Sequence, residues 1–167
     1  MDMIVRSMFQ DSLLSTEKPE LDESIRFRDD DVNRLYFLLT RLLKNALRNQ
    51  SVAEKFGLSN EKILSAWYLT VNIENIADCC KNISKLVQQA KKDQLGKLVN
   101  VFQDLEKNYL DSMKAYYNHD KFLADEIAKK RISLLKEVDT LPLQYGEHVK
   151  LMVTLINNIA RAVIDEE

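Results

Sequence analysis

Three glycines and two prolines are the only strong chain breakers in these 167 residues. A mostly-β fold of this length needs many tight turns, and such turns draw freely on Gly and Pro. The chain is therefore predicted to be all-α, with long helices and few connections. Hydrophobic residues make up 46% of the sequence, enough for one ordinary domain to bury a core without disulfide or metal staples.

Apolar periodicity places six helices. The first spans about residues 3–15, with Ile4, Met8 and Leu14 on one side, and stops before Pro19. The second runs over about 20–49. Its residues Val32, Leu35, Tyr36, Leu39, Leu42, Leu43 and Ala46 recur at steps of three and four and lay one apolar stripe along it. Gly57 marks a break, and Ser59 is the candidate N-cap of a third helix over about 60–91. That helix turns Ile63, Trp67, Val71, Ala77, Cys80, Ile83 and Val87 inward. A fourth helix covers about 93–118 and a fifth follows the break at 118–120. Pro142 and Gly146 bracket the last connection, and the sixth helix carries Val149 to Val163, with His148 at its start.

Several function classes fall away. The formal charge of -2 does not describe a surface built for nucleic acid. Charged residues interrupt every apolar stretch well before the roughly 18–20 residues of a membrane span. The opening residues, with Asp2 and Arg6, do not read as a signal peptide. Adjacent helical side chains diverge by about 100°, so Cys79 and Cys80 are not expected to bridge, and they form no CxxC signature. A reducing cytoplasm is the expected compartment. His119 and His148 lack metal-motif partners, and no GxSxG or glycine-rich phosphate loop is present. The chain does not read as an enzyme.

The chemistry that does stand out is acidic. Asp29, Asp30 and Asp31 precede the stripe at Val32, and Asp29 lies at the edge of the buried seam. In the third helix, Glu74 and Asp78 are four residues apart on one face beside Trp67 and Val71. Like charges so placed repel unless a cation offsets them. Two readings follow: an ion site of the kind helical bundles build from carboxylates, or salt bridging to Arg34, Arg41 or Lys81. A carboxylate-bridged metal enzyme or storage protein would need Glu-x-x-His motifs, which neither histidine supplies. A purely structural helical adaptor is the remaining alternative.

An internal echo divides the chain. Residues 73–78 read IENIAD and residues 156–161 read INNIAR, with four of six positions identical. The expected domains are residues 1–91 and 92–167, each a three-helix unit.

The segments RDDDVNRLYFLL at 28–39 and ENIAD at 74–78 together resemble the PhoU family, in particular its archaeal members. That resemblance implies two tandem three-helix bundles, with short acidic motifs that in family members bind iron, zinc or other divalent ions. By position the implied metal ligands are Asp29, Asn33, Glu74 and Asp78, with Asn33 standing where a carboxylate is usual. The second repeat is degenerate: Asn157 and Arg161 replace one acidic pair, and Lys129 and Lys130 fall where the other is expected. A metal is therefore implied in the first repeat alone. The resemblance also implies a non-enzymatic negative regulator of phosphate uptake. Its expected contacts are the phosphate transporter's ATPase subunit or a phosphate-responsive sensor, with a homodimer as the assembly. Any association with the inner face of the membrane would be peripheral, through that partner.

Overall fold

The stripe of the second segment becomes the longest helix of the computed structural model, which describes residues 1–89 and 95–165. The elements are α1 (Asp2–Leu14), α2 (Glu20–Arg48), α3 (Gln50–Lys55), α4 (Asn60–Val87), α5 (Gly96–Asn118), α6 (Lys121–Val138) and α7 (Leu143–Ile164). No strand occurs among the described residues. The expected end of the third helix at 91, the start of the fourth at 93 and the boundary at 91/92 lie outside the described residues.

Local chemistry sets the ends. The Ser59 hydroxyl accepts from the Lys62 amide at 3.2 Å, the N-cap expected for α4. Asp120 does the same for Leu123 at 2.9 Å and opens α6. His119 closes α5 in the left-handed region, at φ 52°, and Gly57 takes φ 62° after α3.

Seven helices are described rather than six. Asn49 leaves helical geometry at φ -132° and ψ 99°, and its side chain caps the Ser51 amide, which starts the short α3. Val52 and Ala53 from this turn pack on Leu43, Ala46 and Ile63, a small satellite core at the far end of α2. Gly146 is a second correction. It lies in the first turn of α7, because Pro142 is extended at the N-cap and its carbonyl already accepts from the Gly146 amide. His148 consequently falls inside α7.

α1, α2 and α4 pack on one another, and so do α5, α6 and α7. The two groups join where α4 meets α7 and α1 meets α5. One continuous cluster, with residues from both groups, forms the main core. The echo segments lie at this junction: Ile73, Ile76 and Ala77 on α4, and Ile156, Ile159 and Ala160 on α7, are all buried. Asn158 also donates to the Asn72 side chain at 3.3 Å. Across the other junction, Phe9 of α1 meets Phe102 and Tyr109 of α5, each at 5.3 Å between ring centres. The Tyr109 hydroxyl donates to Asp2 at 3.0 Å, and Asp2 also binds Arg6.

Three residues assigned to the apolar stripes are exposed. Leu14 is 45% exposed, Leu42 41% and Trp67 41%. α1 is only 13 residues long against 29 in α2 and 28 in α4. The distal parts of the longer pair therefore extend beyond α1, and part of their apolar surface remains open.

Phe9→Ala should lower stability by about 3–5 kcal/mol, through lost transfer free energy and the cavity left between the two groups. Because the core is continuous, unfolding followed by circular dichroism should stay a single transition. Separate transitions for the two halves would contradict the shared core.

Candidate functional site

The packing of α2 against α4 brings their acidic residues together. α2 runs antiparallel to α4: Asp22 accepts from Ser84 at 3.1 Å near one end, while Leu43 and Ala46 join Ile63 at the other. This register sets Asp29 beside the Glu74–Asp78 face. Asp29 is 4% exposed, whereas Asp30 and Asp31 face outward.

Lys81 lies between the two helices. Its Nζ donates to Asp29 Oδ2 at 2.6 Å and to Asp78 Oδ1 at 2.5 Å. Of the three basic residues that spacing allowed as partners, Lys81 is the one engaged. Arg34 instead pairs with Asp31 at 3.1 Å on the solvent side, and Arg41 is exposed. Asn33 donates to the same carboxylate oxygen, Asp29 Oδ2, at 3.4 Å. Glu74 is half-buried, with no hydrogen bond or ion pair among the described residues.

The charges follow from this geometry. Burial pushes Asp29 above the ordinary carboxylate range, against the pull of Lys81, and the charge on Asp78 adds to the rise. Burial also raises Glu74, and the neighbouring Asp78 and Asp29 charges raise it further. Burial alone would lower Lys81, but hydrogen bonds to Asp29 and Asp78 carry it above the usual lysine value. The cluster is thus three carboxylates around one ammonium.

These donors do not fit a metal as they are arranged. Two of the three carboxylates already bind the ammonium, and a divalent ion would have to displace Lys81 against like-charge repulsion. No group of three or more His, Cys, Asp or Glu among the described residues is placed to hold a metal ion. In the second half, Lys129 forms exposed pairs with Asp125 and Glu126, Lys130 and Arg161 face solvent, and Asn157 is buried.

Other buried polar groups were not apparent from apolar periodicity. The Ser12 hydroxyl reaches the Cys80 carbonyl at 3.2 Å, and the Ser15 hydroxyl reaches the Ser84 carbonyl at 3.3 Å. These small residues allow α1 and α4 to approach closely. The nearby thiols are inert: burial pushes Cys79 up to about 12 and Cys80 well above its ordinary value, so neither supplies a thiolate at neutral pH.

Lys81→Met should cost about 1–3 kcal/mol, because it leaves Asp29 buried and unpaired. The Asp29→Asn, Lys81→Met double variant should recover most of that loss in denaturant unfolding. Glu74 gives a pH signature of known sign. With its folded pKa raised, its favourable contribution is complete below the unfolded pKa and is lost as pH rises through the folded value. Glu74→Gln should therefore stabilise at neutral pH, by roughly 0.5 kcal/mol given solvent screening, and the gain should vanish in acid. A gain that persists at low pH would contradict this charge balance.

The PhoU domain model matches residues 1–87, which comprise α1 to α4 and all four residues of the candidate site. No curated protein and no solved structure gives a significant match. With its acidic helix pair inside the matched half and no strand among the described residues, this protein belongs to the PhoU family.

Proposed function

We propose that the chain is a non-enzymatic regulator that restrains phosphate uptake by protein–protein contact. The observation that carries this reading is the family match over residues 1–87. The proposed contact is the phosphate transporter's ATPase subunit or a phosphate-responsive sensor, reached from the cytoplasmic side of the membrane. Long helical faces suit such a contact, since helices present apolar anchors at regular steps to a partner's groove. No described helix is long and apolar enough to cross a membrane, so a membrane location would come through the partner.

Cys79 and Cys80 are buried and held protonated. The acidic cluster carries its own ammonium, to which we assign the fixing of helix packing that a bound cation would otherwise perform. In this reading Lys81 fixes α4 against α2, and the regulatory surface does not depend on metal supply.

Phosphate uptake in the native host provides the test. Deleting the gene should raise the initial rate of labelled phosphate uptake under phosphate-replete conditions, and supplying it again should restore restraint. The Lys81→Met chain should restrain less well at equal abundance. An unchanged uptake rate in the deletion strain would overturn the regulatory reading.

A further inference from the structure

The internal echo reverses its charge between the two halves. Glu74 and Asp78 of α4 correspond to Asn157 and Arg161 of α7. In the first half, carboxylates gather around an ammonium. In the second, α5, α6 and α7 enclose a cavity of about 10 Å³, room for one water-sized atom. Its walls are apolar except for three side chains: Asn108 of α5, Arg131 of α6 and Asn157 of α7. Asn108 is 5% exposed and Asn157 7%, yet neither side chain has a hydrogen bond among the described residues. Buried amides are normally satisfied, so two unpartnered ones lining a common cavity point to an occupant.

Arg131 lines the same cavity from an exposed position, and it too lacks a hydrogen bond or ion pair among the described residues. What the three side chains share is donation: each amide offers an NH2 group, and the guanidinium offers a fork of N–H groups. No carboxylate lines the cavity. Asp104 and Asp111 lie one turn either side of Asn108 on α5, but neither pairs with Arg131, so its fork stays open.

We propose that Asn108, Arg131 and Asn157 form a binding site for a compact oxyanion. One oxygen enters the cavity and accepts from both amides. The other oxygens remain outside, on the Arg131 guanidinium, whose planar fork suits two oxygens of one anion. A cavity with room for a single atom cannot take the whole ion, so Arg131 holds the part that stays outside. Water alone would satisfy the amides and leave the guanidinium unused, and a halide would fill the cavity without matching the fork. The apolar walls strengthen the buried hydrogen bonds by lowering the local dielectric. Nothing in this site depends on the regulatory reading, since it uses only α5, α6 and α7, outside residues 1–87.

Proton–nitrogen correlation NMR on the full chain tests it, through the side-chain amide signals of Asn108 and Asn157. Sodium chloride is replaced stepwise by sodium phosphate, or by sodium formate, at constant pH and ionic strength. In the wild type both amides should shift together and saturate at one half-saturation concentration. Arg131→Gln should raise that concentration by about tenfold or more. Asn157→Leu should abolish the response of Asn108. Should Asn157→Leu fold poorly, Arg131→Gln, at an exposed position, carries the test alone. Amides indifferent to both oxyanions, as a cavity holding only water or chloride would give, would overturn the proposal. So would a half-saturation concentration unchanged in Arg131→Gln.

Discussion

Burial of α4 is the constraint on which the rest of the structure depends. It packs against α1 and α2 on one side and α7 on the other, so a single helix belongs to both halves of the core. A helix surrounded in this way cannot keep a simple apolar stripe and polar face. Its buried positions run through Ile73, Ile76, Ala77, Cys79, Cys80 and Ile83, a broad band close to half of its circumference at about 100° per residue. Small side chains where α1 crosses, and a longer polar one where α2 crosses, let three neighbours approach at different distances. Ser12 and Ser15 of α1 serve the first kind of contact and Lys81 the second.

The acidic cluster is a consequence of that crowding. Asp29 is carried into the seam by its place on the apolar stripe of α2, where a lone carboxylate would be costly to bury. Lys81 answers it from α4 and takes Asp78 as well, so the buried charge is compensated by a side chain rather than by an added ion. Glu74 is left without a partner among the described residues, and the sign of its shift follows from burial and the neighbouring carboxylates. A buried pair of this kind fixes the register of two helices more than it adds stability, because moving either helix by one turn leaves a charge unpaired.

Much of this was legible in the sequence. Long apolar periodicity with few breakers gave the helices, and Ser59 and Gly57 marked real ends. The four-residue step from Glu74 to Asp78 placed both on one face, and Lys81, three residues on, was among the partners that spacing allowed. Three features needed tertiary context. The α3 turn depends on Asn49 leaving the helix and capping Ser51, a choice that apolar periodicity does not encode. Gly146 resembles a breaker, yet Pro142 had already started the helix. Which of Arg34, Arg41 and Lys81 would bind the cluster depends on the crossing of α2 and α4, and the two arginines turn outward on their own helix. Exposure of Leu42 and Trp67 likewise reflects the short reach of α1, which periodicity along α2 or α4 cannot report.

Elemental mass spectrometry tests the central claim, that Lys81 takes the place of an added cation. Untagged protein would be measured as purified and again after loading with iron or zinc and desalting, beside the Glu74→Ala, Asp78→Ala double variant. The account predicts no stoichiometric metal in the wild type and no difference between it and the double variant. One divalent or trivalent ion per chain in the wild type, lost in the double variant, would contradict it.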